Sequence, residues 1–263
     1  MKKSKRIFTN RKIEERIKTG IPGFDELIQG GFPRNSNILL AGAPGTGKSI
    51  FGMQYLINGS EKYNEKGLLV TFEQKRDDVI QQANQFGWDI SKLEKFGKLK
   101  IMDIDIERIN DRTSNDLRII IRKEGIKRIV IDSLSTLVVN APMYAKLSDI
   151  PINRLIANKI IISQPVVGDF FVKKFIYEFL NDLKGLNCTS LLIGESAQNS
   201  EYLSRDTVSE FVCDGVIVIT FEALGGEFSR SLMVRKMRAT RNDEDIHPLE
   251  IGNKGIVVHK IVK

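Results

Sequence analysis

The stretch Gly42-Ala43-Pro44-Gly45-Thr46-Gly47-Lys48-Ser49 constrains the fold more than any other part of the chain. It fits G-x-x-x-x-G-K-[ST], the loop that cradles the phosphates of a nucleoside triphosphate. Its surroundings agree. Asn37-Ile38-Leu39-Leu40-Ala41 is a short apolar strand, and the residues from Ser49 to Leu56 can begin a helix. Glycines let the backbone wrap closely, so that successive N–H groups point at phosphate oxygens. The helix N-terminus adds positive potential at the same point. The expected cradle runs from Gly42 to Ile50, with Lys48 reaching the β- and γ-phosphates and Ser49 offering its hydroxyl to Mg²⁺. A glycine-rich turn that matches by chance lacks the strand before, the helix after and the Lys-Ser pair.

The rest of the chain repeats the strand–helix theme. Gly67 to Glu73 reads as a buried strand, Arg76 to Gln85 as a helix and Leu99 to Ile104 as a strand. A helix over Asn115 to Glu124 stops at Gly125 and precedes the strand Arg128-Ile129-Val130-Ile131-Asp132. Phe171 to Leu183 is an amphipathic helix, and Thr189 to Gly194 is a further strand. This alternation predicts an α/β fold with a mostly parallel central sheet covered by helices on both faces. The tail differs: Gly215 to Phe221, Ser229 to Lys236, Pro248 to Ile251 and Gly255 to His259 are strands without helices. They predict an antiparallel extension on one edge of the same sheet.

Composition narrows the setting. Of the 263 residues, 41% are hydrophobic, enough to fill a substantial core, yet no run approaches the ~20 apolar residues of a membrane span. A secretion signal is also absent, so a cytoplasmic protein is expected. Cys188 and Cys213 lie far apart in apolar segments and read as two buried thiols rather than a disulfide or metal ligands. Charge is uneven. Residues 1–18 hold eight Lys/Arg and two Glu, a net of +6, whereas the remainder has 32 basic and 31 acidic residues. That basic arm is either a solvated, disordered tail or a contact for nucleic acid or an acidic partner.

One connection breaks the pattern. Nearly forty residues separate Asp132 from the helix expected at Phe171, with an insertion at about 142–169. A connection that long is either functional or without fixed structure, and its apolar content speaks against plain disorder.

Two acids complete the candidate site. Asp132, at the end of an apolar strand, would hold Mg²⁺. Glu73, at the end of another, would orient the attacking water as general base. In parallel sheets ligands gather at the C-terminal ends of the strands, where both acids would meet the loop.

These residues resemble the RecA superfamily, specifically the KaiC-like and archaeal RadA-paralog ATPases. The resemblance runs from about Arg16 to His259. It rests on Thr19-Gly20-Ile21-Pro22-Gly23-Phe24-Asp25 through Gly30-Gly31, the phosphate loop, Val70-Thr71-Phe72-Glu73, Ile131-Asp132-Ser133, and Lys236-Met237-Arg238-Ala239-Thr240 with His247-Pro248 and Lys254-Gly255. It implies a RecA-type ATPase domain over residues 19–263 that binds ATP at the interface between identical subunits, often in a hexameric ring. It also implies that Lys236 and Arg238 reach the γ-phosphate bound by the neighbouring subunit. As strand residues two apart, they are expected on one face with Met237 on the other.

The departures are specific. KaiC itself has two such domains where one is seen here. The family's pair of glutamates is Glu73-Gln74, which implies slow hydrolysis. The Ser-Thr pair that circadian KaiC phosphorylates corresponds to Glu210 and Phe211, so autophosphorylation there is not expected. The helical DNA-binding domain of RadA recombinase is missing, which speaks against a strand-exchange enzyme.

Two outputs fit. One is a recombinase paralog that binds single-stranded DNA through loops at about 142–169 and 198–209, with Lys146, Arg154, Lys159 and Arg205 as cations and Tyr144 and Tyr202 as stacking rings. The other is a signalling ATPase whose assembly state is read by a protein partner, which suits Ile150, Ile152, Leu155 and Ile156. The sequence leans to the first.

Overall fold

A computed structural model of the chain describes residues 15–105, 113–138, 164–196, 203–224 and 227–261. The basic arm up to residue 14, the insertion up to residue 163 and the loop residues 197–202 lie outside the described residues. The strands are β1 (Arg16–Ile17), β2 (Phe32–Pro33), β3 (Asn37–Gly42), β4 (Gly67–Thr71), β5 (Leu99–Asp103), β6 (Arg128–Asp132), β7 (Thr189–Glu195), β8 (Gly215–Leu224), β9 (Glu227–Met237), β10 (Ile246–Gly252) and β11 (Gly255–Val258). The helices are α1 (Lys48–Lys62), α2 (Arg76–Asn84), α3 (Ile90–Lys95), α4 (Thr113–Glu124), α5 (Gln164–Lys184) and α6 (Ser209–Val212). A single 3-10 turn, Asp25–Ile28, precedes β2.

Nine strands form one sheet in the order β11-β10-β9-β8-β3-β7-β6-β4-β5. From β8 to β5 every pairing is parallel, and from β8 to β11 every pairing is antiparallel. The expected parallel sheet with an antiparallel edge is therefore found. The parallel strands are apolar on both sides because both sides are covered. Leu40 and Val130 pack on one face with α1, while Leu39 and Ile131 pack on the other with α4 and α5. On the α1 face, Phe24, Phe32, Phe51 and Tyr55 meet edge to face at centroid separations of 5.2 to 5.8 Å. This packing anchors the segment before β3 and, through α1, the loop between them.

Three local features depart from the sequence reading. Helix α5 begins at Gln164, not Phe171, so the end of the expected insertion is its first turns; Pro165 is tolerated there because first-turn N–H groups need no helical partner. Helix α3 was not anticipated; Asp89 caps it by accepting from Lys92 N–H at 2.9 Å. Strand β4 ends at Thr71 rather than at Glu73, because Thr71 Oγ1 accepts from Gln74 N–H at 3.2 Å and turns the chain.

Strand β9 carries a bulge. Lys236 pairs with Val216, and Val234 pairs with the next residue, Ile217, so Arg235 is the extra residue. Leu232 and Val234 are buried, and strict alternation would next bury Lys236. The bulge shifts the parity, so Met237 is buried instead and Lys236 and Arg238 turn to the other face.

Cys188 and Cys213 are buried free thiols, as the sequence predicts. Burial pushes them up to about 11 and about 12 respectively. No described helix is long and apolar enough to cross a membrane.

Candidate functional site

The phosphate loop leaves β3 at Gly42 and enters α1 at Lys48. Its glycines are required by shape. Gly45 and Gly47 adopt φ of 80° and 103°, where a side chain is strained. A Cβ on Gly42 would lie 2.4 Å from the Ile219 carbonyl oxygen, and one on Gly47 would lie 2.8 Å from Ile251 Cδ1. Thr46 Oγ1 donates to the Ala43 carbonyl at 2.9 Å and closes the loop around Pro44. Lys48 Nζ donates to the carbonyls of Gly42 and Ala43, both at 2.8 Å.

Carboxylates converge on Lys48 from neighbouring strand ends. Asp132 ends β6, Glu195 ends β7, and Glu73 sits in the turn after β4. Burial lowers the Lys48 ammonium pKa, while Glu195, Asp132 and Glu73 pull it back up. Burial likewise raises the Asp132 carboxyl above its usual range. Its hydrogen bond from Ser49 opposes the shift, Glu73 adds to it and Lys48 opposes it. The sequence therefore placed Lys48, Ser49, Asp132 and Glu73 in one site, and the structure brings them together.

Glu73 is held by hydroxyls from the segment after β6. Its Oε1 accepts from Ser133 Oγ at 2.9 Å and from Thr136 Oγ1, and the two hydroxyl oxygens are 2.8 Å apart. Glu195 was not anticipated, although an acid closing a strand is the same signal that identified Asp132. Its carboxylate pairs with Arg205 at 2.9 Å, and its N–H donates to Ser135 Oγ at 2.8 Å.

Ser49 and Asp132 fit Mg²⁺ by their chemistry: a hydroxyl and a carboxylate already in hydrogen-bond contact at the loop. Mg²⁺ prefers one or two protein oxygens with phosphate oxygens and water completing an octahedron. Among the described residues no group of three or more His, Cys, Asp or Glu forms an all-protein metal site.

The raised Asp132 pKa has a stability consequence. The folded state binds its proton more tightly than the unfolded state, so stability falls as pH rises above the ordinary value of 3.8. Asp132→Asn is expected to raise the thermal midpoint at neutral pH, because the amide is buried without a charge. It should also flatten the acid-side pH dependence of unfolding. A lower midpoint in the variant would contradict this reading.

Lys236 and Arg238 share a face, as expected, but lie away from their own loop. Lys236 Nζ donates to the carbonyls of Glu210 and Phe211 at 3.1 Å, and Arg238 Nη2 donates to the Phe211 carbonyl at 3.3 Å. Arg238 Nη1 also pairs with Asp214 at 3.3 Å. Lys236 is in register, through Val216, with Leu39 near the start of β3, whereas the loop begins after Gly42 at its end. The cation of β9 that does touch the loop is Arg230, whose Nη2 donates to the Gly45 carbonyl at 3.3 Å.

The chain matches the family described as the KaiC ATPase over residues 17–157 and 143–263. A UPF0273 protein of Methanocaldococcus jannaschii is 34% identical over 95% of this chain and 99% of its own length. A UPF0273 protein of Thermotoga maritima is 32% identical over 93% of this chain and 96% of its own. The crystal structure of a KaiC-like protein from Pyrococcus horikoshii superposes with a TM-score of 0.76 at 33% identity, covering 94% of this chain and 99% of that one.

Proposed function

The chain belongs to the KaiC family of ATPases, and from that premise we propose that it binds Mg·ATP at the Gly42–Ile50 loop and hydrolyses it slowly. The observation that carries this reading is the convergence of Lys48, Ser49, Asp132 and Glu73 at the C-terminal ends of the parallel strands. Loop N–H groups hold the phosphates, and Lys48 exchanges the Gly42 and Ala43 carbonyls for phosphate oxygens. Ser49 and Asp132 would hold Mg²⁺, which would supply neutralisation of the phosphate charge. Glu73 orients the water; with Oε1 pinned by Ser133 and Thr136, its other oxygen is left to accept the proton. Gln74 stands where the resembled proteins carry a second glutamate, which favours slow turnover.

The proposal includes assembly with copies of this chain in a ring, hexameric in the resembled proteins. Lys236 and Arg238 would complete the site of the next subunit. Their distance from their own loop supports that role, as does Phe211 beside them, which is 63% exposed.

Of the two outputs weighed from sequence, the structure lends support to partner signalling. Arg205, the described member of the expected DNA-contacting cations, is ion-paired to Glu195. The recombination reading keeps the basic arm as its support.

The test is ATP hydrolysis by the full-length chain and by Glu73→Gln. The variant should bind ATP as before and turn over on the order of 10²-fold more slowly. Unchanged hydrolysis would remove Glu73 as the base. A labelled single strand in the same samples separates the outputs: signalling expects no ATP-dependent binding, whereas tight, salt-sensitive, ATP-dependent binding would restore the recombinase-paralog role.

A further inference from the structure

We propose that a cavity at the end of β3 remote from the phosphate loop is a second anion site, which takes the phosphoryl group of a free small molecule and holds Arg238 on its own subunit. The cavity measures about 370 Å³. It opens among Arg34 and Asn35 before β3, Lys184 at the end of α5, Asp214 before β8 and Arg238 after β9. None of these residues belongs to the phosphate loop. The volume lies within the range of small-ligand sites, about 300–1,000 Å³. A bare phosphate would leave room in it, so the ligand is expected to carry a further group.

Charge selects the ligand. Arg34, Lys184 and Arg238 line the cavity with Glu15 and Asp214. Two more cations adjoin it. Arg16 donates to the Ala239 carbonyl at 2.9 Å and to Thr240 Oγ1 at 2.6 Å. Lys236 lies close enough to Arg238 and Lys184 that both add to the lowering of its pKa by burial. Among the described residues around the cavity, five cations therefore stand to two carboxylates. Asp214 is buried and its oxygens are engaged: Oδ1 accepts from Lys184 Nζ at 2.8 Å and Arg238 Nη1 at 3.3 Å, and Oδ2 accepts from the Asn37 N–H at 3.0 Å. Glu15 pairs with Arg34 at 3.2 Å and is 68% exposed, so solvent screens it. Gathered cations repel one another, and an anion placed among them relieves the repulsion.

Donor geometry favours a phosphoryl group over a carboxylate. Lys184 has three N–H donors, of which Asp214 takes one, and each guanidinium offers five in a planar fork. Oxygens pointing in several directions, as on a phosphoryl dianion, can meet cations that come from three separate segments. The wall is also strained. Ala239 adopts φ of 54°, in the left-handed region that a residue with a side chain rarely enters, and it turns the chain directly after Arg238. An anion in the cavity would occupy donors of Arg238 and keep them from a neighbouring subunit. That consequence rests on the trans role proposed above, whereas the site itself does not.

The experiment titrates pyrophosphate, without Mg²⁺, into the full-length Lys48→Ala protein, in which the phosphate loop is weakened. Calorimetry should find one site per chain. Adding Arg34→Met or Lys184→Met is expected to weaken that binding about tenfold, and adding Lys95→Met, an exposed cation on α3, should leave it unchanged. Loss of all binding in Lys48→Ala, or indifference to Arg34→Met and Lys184→Met, would overturn the site. An equal loss in Lys95→Met would reduce it to diffuse attraction, and equal affinity for succinate would overturn the phosphoryl assignment. If pyrophosphate fails to bind but Lys184→Met abolishes ATP-dependent assembly, the cavity receives a neighbour's nucleotide and the free-ligand site is overturned. In wild-type protein, pyrophosphate should lower kcat in a way that excess ATP does not restore, and Arg34→Met should escape this effect. Inhibition fully relieved by excess ATP would overturn the hold on Arg238. Absence of hydrolysis would fail the ATPase reading and leave calorimetry to decide the site. Unfolding midpoints close to that of the wild type show that the variants are folded.

Discussion

Arg238→Ala is expected to lower ATP turnover by on the order of 10³-fold while leaving ATP affinity nearly unchanged. A cation that arrives at the γ-phosphate acts on charge that develops during transfer, so it affects the chemical step more than ground-state binding. Arg238 cannot play this part for its own loop, since it stands level with the start of β3, at the other end of the strand from the loop, on Asp214 and the Phe211 carbonyl. Lys236 is lowered in pKa by burial and then by Arg238, so the two cations would gain from a neighbour's phosphates. A mixing experiment decides the direction. Glu73→Gln protein has a defective site of its own, and Arg238→Ala protein cannot help its neighbour. Mixed assemblies contain interfaces with an intact Glu73 facing an intact Arg238, so activity above either variant alone is expected. Absence of recovery in subunits that demonstrably co-assemble would end the trans role.

The parts of this site that were legible in the sequence are those that depend on local order. The phosphate loop needs its glycines at fixed spacing, and Asp132 closes an apolar run that can only be a buried strand. The common face of Lys236 and Arg238 follows from a separation of two residues, whatever happens upstream. The parts that were not legible depend on contacts between distant segments. Glu73 is placed by Ser133 and Thr136, some sixty residues later, after a turn that the strand pattern did not reveal. Arg230 of β9 and Gln82 of α2 line one cavity beside the loop, although they are far apart in sequence. The start of α5 could have been found, since a proline at the second helical residue is a start signal, but an apolar insertion hid it.

The second large effect concerns stability. Arg128→Ala is expected to destabilise the fold by about 3–5 kcal/mol. Arg128 opens β6 and its side chain is 1% exposed. Its Nε and Nη2 reach Glu65 Oε2 at 2.6 and 2.5 Å, and Nη1 donates to the Tyr55 carbonyl at 3.1 Å. Its Cζ lies 4.7 Å from the Tyr55 ring centroid and 5.2 Å from that of Tyr63. Helix α1 makes room for it at Gly59, where a Cβ would come within 2.5 Å of Arg128 Cδ. Truncation leaves Glu65 without its cation, uncovers two tyrosines and opens a void beside α1. Urea unfolding with a common slope would measure the loss. Replacing both partners, as Arg128→Met with Glu65→Leu, should cost less than the single truncation, because no charge is then stranded. A single-variant loss under about 1 kcal/mol would show that the pair contributes little.

The bulge at Arg235 makes the outward turn of Lys236 and Arg238 a matter of counting. Side-chain direction along a strand depends on how many residues intervene, not on which ones. Any amino acid at position 235 keeps the count, so missense change there should be tolerated unless the side chain itself is used. Loss of a single codon would do the opposite. It would swing Lys236 and Arg238 onto the face of Leu232 and Val234 and expel Met237 from the apolar layer. Reading frame and composition would hardly change, yet the face that now carries Lys236 and Arg238 would lose both cations. For this segment the inherited information is a length, and its letters are secondary.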